Sequence, residues 1–265
     1  LNVRAELVYD FLEGSEANVS VQAAYSSDQT IVSERLVITP ARVILQDHPD
    51  YRGERRFRAY VAGEITILYE AVVDNGLRVA LPASARQSRW IELPQAVLQY
   101  LTPSRYCPSD RFVLFANREF GEISDGGARV QAVLEWIIKH VDYIPGVSNG
   151  ETTAERTFVD RAGVCRDFSH LGITLCRALN IPARAVSAYA WKLEPPDFHA
   201  AFEVFLNDGW WLVDPTGLAP VEGLVRIGVG RDAADIAFLT TSGPCSGVCQ
   251  SVNVTREIGK EFVQA

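Results

Sequence analysis

Three short segments of the sequence carry the residue types that nucleophilic catalysis requires. They are residues 162–168, 197–200 and 213–216, and they contribute Cys165, His199 and Asp214. A cysteine thiolate can attack an amide carbonyl, but a proton carrier must then protonate the leaving amine. A carboxylate that orients an imidazole beside a thiol completes such a set. Cys165, His199 and Asp214 are therefore candidates for nucleophile, base and orienting group.

The position of Cys165 favours a reactive thiol. Cys165 follows Gly163, and the apolar residues after it recur at helical spacing, so we predict a helix that begins at Cys165. The predicted buried stripe of this helix consists of Phe168, Leu171, Leu175 and Leu179. A thiol at a helix N-terminus faces unpaired backbone N–H groups and the positive end of the helix dipole, which favours the thiolate.

The chain has four histidines, and His199 is the best candidate for the base. His170 lies on the predicted helix five residues after Cys165, so it points away from the thiol. His48 lies in a strand-like region with no catalytic residue types around it, and His140 ends a helix, where a histidine is favourable for structural reasons. His199 lies on a predicted strand between small and apolar neighbours.

The strands that carry His199 and precede Asp214 can pair in two registers. If Leu206 pairs with Gly209, Asp214 comes one diagonal step from His199, at about 7–8 Å between backbones. If Asp208 and Gly209 form a strict two-residue loop, Asp214 shifts along the strand and loses the contact. The spacing allows a triad without requiring one.

Each candidate residue also has a structural explanation. A buried cysteine is usually a small apolar residue, a strand histidine is usually structural, and an aspartate before proline is usually a turn former. Only the combination of the three points to catalysis, and spacing alone leaves both explanations open.

The sequence around these residues closely resembles that of bacterial transglutaminase-like proteins. The similar segments are residues 153–171, 179–189, 197–204 and 211–216. The resemblance implies an α+β fold with a papain-like core, in which helices pack on an antiparallel sheet, preceded by an N-terminal β-sandwich-like domain. It also implies that Cys165 is the nucleophile, His199 the base and acid, and Asp214 the orienting group. One departure is Ala200, where the family often has tryptophan.

Apolar residues alternate with polar ones in the first part of the chain, which predicts strands there. Residues 81–108 contain four prolines and are predicted to be an irregular connector, so we place the domain boundary in this segment. We expect an N-terminal β domain over residues 1–105 and a transglutaminase-like catalytic core over residues 106–265. Asp74, Asn75 and Gly76 also predict a β-hairpin turn in the first domain.

The predicted activity is thiol-dependent acyl transfer on a peptide or protein substrate. Cys165 would form a thioester from a peptide bond or a glutamine side chain, and water or an amine would release it. We rank a cysteine protease or amidase above a transglutaminase. The alternative that is not an enzyme is a non-catalytic protein-binding module on the same fold. The oligomeric state is open.

Several other residues have expected roles near this site. Asp167 and Arg184 are expected to form an ion pair that fixes the predicted helix against the next strand. Tyr143 and Trp136 are candidates for an oxyanion donor, although the backbone N–H of Cys165 is the better candidate.

Composition excludes several other classes of protein. The net charge of −8 argues against binding to nucleic acid, and no run of apolar residues is long enough for a membrane span. The first twenty residues show no signal peptide, and five cysteines are few for a disulfide-bonded protein, so a cytoplasmic location is expected. We expect no cofactor and no metal, because Cys245 and Cys249 lack a second pair of ligands.

Overall fold

The computed structural model of the protein describes residues 1–40, 44–46, 48–50 and 52–256. It consists of two antiparallel sheets packed against each other, a short parallel pair of strands and a group of helices. The strands are β1 (Asn2–Val19), β2 (Thr30–Thr39), β3 (Ile44–Gln46), β4 (Phe57–Asp74), β5 (Asp142–Tyr143), β6 (Ala162–Gly163), β7 (Ala183–Ala190), β8 (Phe198–Leu206), β9 (Gly209–Val213), β10 (Leu224–Gly230), β11 (Leu239–Thr241) and β12 (Cys245–Thr255). The helices are α1 (Gln95–Leu98), α2 (Val113–Phe120), α3 (Gly126–His140), α4 (Ala154–Asp160) and α5 (Cys165–Ala178). The expected α+β fold is confirmed.

The larger sheet has six strands and is built on two long ones. β1 and β4 pair over almost their whole lengths, and β2 and β3 pair with the other edge of β4. Alternate residues of β1 and β4 are buried, as period-two strands require. Their apolar core includes Tyr189, Phe198, Val225 and Ile227 of the smaller sheet, which therefore forms the second layer that covers the larger one.

The end of the described chain returns to the larger sheet. β11 and β12 pair antiparallel with β1, so residues 239–255 join strands of the N-terminal region. The sequence-based division at residue 105 places these residues in the catalytic core instead, because their periodicity does not reveal which strand they pair with. The last nine residues of that predicted core lie outside the described residues.

The hairpin predicted at Asp74–Gly76 is wrong, because residues 77–79 do not form a strand. The turn itself exists: the Gly76 N–H donates to Oδ1 of Asp74 at 2.9 Å, and Gly76 has a φ of 54°. The Asn75 side chain donates to the carbonyl oxygens of Glu222 and Leu224 at 3.1 and 2.9 Å. Asn75 therefore ties the end of β4 to the smaller sheet.

The smaller sheet has the order β10-β7-β8-β9, and α5 packs against it. Every residue of α5 from Asp167 to Ala178 is buried, so this helix is the centre of the core. At Gly172, a Cβ atom would lie 2.5 Å from the ring of Phe202 on β8, so only glycine allows so close an approach of helix and sheet. The helix predicted to begin at Cys165 does begin there.

Across the described ranges, every helix is too short or too polar to cross a membrane.

Candidate active site

Backbone pairing fixes the position of Cys165 at the start of α5. β5 and β6 pair in parallel just before the helix, and Ile144 N–H donates to the Gly163 carbonyl at 3.0 Å. The Asp167 carboxylate accepts the Val164 N–H at 2.9 Å and so caps the first turn. A Cβ atom on Gly163 would lie 2.7 Å from Cβ of Asp167, so the cap requires glycine there. The half-buried Cys165 is thus the first residue of a rigidly anchored helix.

A tight turn sets the register of the next two strands. Leu206 pairs with Gly209, which confirms the first of the two predicted registers. Asn207 and Asp208 form the two-residue turn with φ values of 50° and 57°, as a type I′ turn requires. Oδ2 of Asp214 consequently lies 3.0 Å from Nε2 of His199.

The Asp214 carboxylate is held by backbone and side-chain donors before it meets the histidine. Oδ1 accepts the N–H and the hydroxyl of Thr216 at 3.0 and 2.8 Å, and Oδ2 accepts the Ala219 N–H at 3.1 Å. Burial tends to raise the pKa of Asp214, but the hydrogen bonds and charge of His199 and the bonds from Thr216 prevail and lower it. Asp214 is therefore an oriented anion.

His199 is buried between the carboxylate and the thiol. Burial favours the neutral imidazole, but the hydrogen bond and charge of Asp214 and the interaction with Cys165 outweigh it, and they raise the pKa of His199 to about 9. Nε2 faces Asp214, and the imidazole also interacts with the Cys165 side chain. The structure thus brings all three sequence-predicted residues together, in the order thiol, imidazole, carboxylate.

Comparison with known proteins places this arrangement in a family. The family model for the transglutaminase-like superfamily matches residues 115–215, which include all three residues. The crystal structure of a "putative cysteine protease" from Cytophaga hutchinsonii is 37% identical, with a TM-score of 0.89 over 95% of this chain and 88% of that one. The protein belongs to the transglutaminase-like superfamily. An uncharacterized protein of Mycobacterium leprae is 28% identical over 190 residues, which cover 66% of this chain and 67% of the relative.

Of the two aromatic residues suggested as oxyanion donors, the structure of this transglutaminase-like protein brings only Tyr143 to the thiol. The Tyr143 hydroxyl interacts with the backbone N–H and the side chain of Cys165. Burial, followed by the charge of Cys165, raises the pKa of Tyr143 to about 12. Trp136 instead stacks on Phe158 and His140, with ring centroids 5.6 and 4.6 Å away.

The predicted ion pair between Asp167 and Arg184 is wrong. Asp167 caps α5 and contacts Arg166 at 3.2 Å, whereas Arg184 contacts Glu203 on the neighbouring strand at 2.6 Å. The Arg184 guanidinium also lies 3.9 Å from the ring centroid of Trp210. The cross-strand neighbour of Arg184 is Glu203, so pairing in the sheet decides its partner.

His170 occupies a core position on α5, whereas its spacing from Cys165 predicts only that it points away from the thiol. It is 1% exposed, stacks on Tyr106 at 5.0 Å between ring centroids, and its Nε2 accepts the Ala233 N–H at 3.1 Å. Burial lowers the pKa of His170 to about 4, against the pull of nearby Asp232.

The remaining cysteines show no sign of a metal centre or disulfide. All five cysteines are free. Cys245 and Cys249 lie four residues apart on β12, roughly 13 Å along a strand, which is beyond disulfide reach. Within the part of the chain that the structure describes, no three side chains of metal-binding type come together.

Sequence reasoning missed one acidic residue at this site. Asp197 lies two residues before His199, is exposed, and raises the pKa of Tyr143 through its charge, after the effects of burial and of Cys165. Gln250 of β12 donates to its carboxylate at 2.5 Å. Its position two residues before His199, immediately ahead of β8, could have identified it.

Proposed function

We propose that this protein is a thiol acyl-transfer enzyme that cleaves an amide, as a cysteine protease or amidase. The observation that carries the proposal is the contact of His199 with both Asp214 and Cys165 at the start of α5. The superfamily match and the 37% identical structure described as a "putative cysteine protease" support a thiol-based enzyme in general.

The geometry suggests a separate role for each of the three residues in the reaction. The raised pKa of His199 favours a protonated imidazole beside the Cys165 thiol near neutral pH. The thiolate of Cys165 attacks the amide carbonyl, and the tetrahedral adduct expels the amine as His199 gives it a proton. Asp214 holds the imidazole in place and stabilises its charge. The product of this half-reaction is a thioester on Cys165.

The fate of the thioester separates hydrolysis from transamidation. Tyr143 is 40% and Ile144 is 42% exposed, so the thiol lies beside a surface that water reaches. Water is therefore the favoured acceptor, and His199 takes its proton.

Transglutamination is the second candidate because of Asp197. Its exposed carboxylate lies close enough to Tyr143 to affect the pKa of the phenol, and Tyr143 in turn interacts with Cys165. A negative charge at this place attracts a protonated amine acceptor. Such an amine would attack the thioester and form a new amide.

A screen of peptide and glutamine substrates tests the proposal. Wild type, Cys165→Ala and the control Cys249→Ala are incubated with peptide libraries, with and without a fluorescent primary amine. Acid or ammonia release by wild type and Cys249→Ala, but not by Cys165→Ala, supports hydrolysis, whereas amine incorporation supports transfer. If wild type and Cys165→Ala are equally inactive on every substrate but bind a peptide equally well, the non-catalytic binding module is the better explanation.

A further inference from the structure

One carboxylate near the candidate active site has an oxygen that is left for a ligand. Asp197 immediately precedes β8, the strand that carries His199, and its side chain is exposed. Oδ1 of Asp197 accepts the Phe198 N–H at 2.7 Å and the side-chain amide of Gln250 at 2.5 Å. Within the part of the chain that the structure describes, Oδ2 accepts no hydrogen bond and no cation forms an ion pair with this carboxylate. Asp197 therefore presents an uncompensated negative charge to the solvent.

Two observations connect this carboxylate with the reacting residues. Asp197 lies two residues before His199, at the end of β8 where the imidazole is placed. Burial and the charge of Cys165 raise the pKa of Tyr143, and the charge of Asp197 adds to them, while the Tyr143 hydroxyl itself interacts with Cys165. Because the interaction between charges declines with distance, Asp197 lies near the part of the site that Tyr143 covers. We therefore expect a peptide bound at Cys165 and His199 to pass close to Asp197.

The orientation of the carboxylate is set by a residue of the other sheet. Gln250 belongs to β12, which pairs with β1 of the larger sheet, whereas Asp197 leads into the smaller sheet. Both protein donors, the Gln250 amide and the Phe198 N–H, use Oδ1, so Oδ2 is the oxygen that faces a ligand. Because the carboxylate is ordered before a substrate arrives, binding restricts its motion less. Gln250 is thus a positioning residue for Asp197.

We infer that Asp197 is a specificity-determining residue that selects peptide substrates with a positively charged side chain next to the scissile amide. The inference rests on the proposed function. The ammonium group of lysine or the guanidinium group of arginine donates to Oδ2 and compensates the negative charge. A carboxylate of the substrate at the same place is repelled. Asp197 takes no part in bond making, so it decides which substrates bind rather than how the thiol reacts.

Charge reversal at Asp197 tests the inference with matched peptides based on the best substrate of the screen described above. Each peptide is acetylated and amidated at its termini, so that one residue next to the cleaved amide carries the only charge. This residue is lysine, norleucine or glutamate, on either side of the amide in separate series. The values of kcat and KM are measured for wild type, Asp197→Asn and Asp197→Lys. Glu194→Gln is the matched control, because it removes an exposed acidic side chain from the same segment.

For wild type we expect kcat/KM on the lysine peptide to be about 3- to 10-fold higher than on the norleucine peptide in at least one series, through a lower KM. Salt screens an exposed charge, so this preference should weaken in about 0.5 M NaCl. Asp197→Asn should lose the preference but keep its kcat/KM on the norleucine peptide within about threefold of wild type. Asp197→Lys should prefer the glutamate peptide, and Glu194→Gln should match wild type.

Three results would overturn the inference while leaving the proposed function intact. The first is a lysine preference that persists in Asp197→Asn, and the second is an equal loss of preference in Glu194→Gln, which would assign it to the general charge of the surface. The third is a wild type that cleaves the three peptides of both series equally well. If wild type cleaves no peptide at all, the proposed function and this inference both fail.

Discussion

At the scale of single residues, Asp214 is fixed first, and it then fixes the position of His199. Three protein donors hold Asp214 in one orientation, and Asp214 in turn holds His199 at 3.0 Å. The side chains of His199 and Asp214 are 0% and 3% exposed, so water does little to screen their attraction. The thiol is the half-buried member that a substrate can reach.

Replacing the buried carboxylate tests its role. Asp214→Asn weakens the hydrogen bond and removes the charge through which Asp214, together with Cys165, raises the pKa of His199 to about 9, so the imidazolium should be less populated at pH 7. We expect kcat/KM on the best substrate to fall by about 10²- to 10⁴-fold, with circular dichroism unchanged. Asp208→Asn, in the turn between β8 and β9, is the control. An Asp214→Asn enzyme within threefold of wild type would rule out the orienting role.

Thiol labelling tests whether Cys165 is activated. At pH 7 Cys165 should react with iodoacetamide about tenfold faster than Cys249, although Cys249 is the more exposed thiol. The fully buried Cys107 and Cys176 should remain unlabelled until the protein unfolds. Mass spectrometry of tryptic peptides over time gives the rate at each site. Equal rates at Cys165 and Cys249 would contradict an activated thiol.

At the scale of elements, charged side chains connect three strands of the smaller sheet with one another and with the chain between β1 and β2. Glu203 of β8 is fully buried and contacts Arg184 of β7 and Arg226 of β10. Arg226 also contacts Asp28 of the chain between β1 and β2, at 2.5 Å. The two arginines lower the pKa of Glu203 in spite of its burial, so it is an anion inside the sheet.

Removal of this buried charge should destabilise the fold. Glu203→Gln removes the carboxylate that Arg184 and Arg226 share and leaves Arg226 only Asp28, and we expect a loss of about 3–5 kcal/mol in the free energy of unfolding. Asp160→Asn, which removes the exposed partner of Arg156, is the matched control and should have a much smaller effect. Urea unfolding followed by tryptophan fluorescence measures both. Equal losses in the two variants would show that the buried ion pairs contribute no more to the free energy of unfolding than an exposed pair does.

Sequence patterns within a few residues of one another predicted the start of the helix at Cys165 and limited the strand register at Asp214. The glycine before Cys165 and the apolar spacing after it predicted the start of α5, and the short turn after Leu206 limited Asp214 to two registers. The partners of Arg184 and Asn75 and the pairing of β12 with β1 depend on residues far away in the chain. Neither periodicity nor turn propensity carries that information, so the ion pair and the hairpin were predicted incorrectly.

At the scale of the whole molecule, the two sheets share one apolar core. The Tyr189 hydroxyl of β7 donates to the Val21 carbonyl at 2.5 Å, and its ring stacks on Tyr69 of β4 at 6.1 Å between centroids. Gln250 of β12 reaches Asp197 beside the candidate site. Because the catalytic strands and the long strands bury each other, we expect the described chain to unfold in one cooperative step.

Two buried histidines should shape how stability depends on pH, in opposite directions. Burial lowers the pKa of His170 to about 4, helped by the charges of Arg166 and Arg177 and opposed by those of Asp232 and Asp167. As pH falls from 6.5 to 4, His170 is therefore protonated in the unfolded chain but still neutral in the folded one, and the free energy of unfolding decreases. His199 has its pKa raised to about 9, so its contribution is complete below pH 6.5 and is lost as pH rises to about 9.

Substitution of each histidine should flatten one side of the stability curve. Each shift corresponds to about 3 kcal/mol, so the free energy of unfolding should be greatest near pH 6.5, where neither loss has begun. His170→Gln should flatten the acid side alone, because glutamine can accept the Ala233 N–H without gaining charge. His199→Gln should flatten the alkaline side alone. Urea unfolding of the three proteins from pH 4.5 to 9.5 measures this, and an acid slope that persists in His170→Gln would show that other groups cause it.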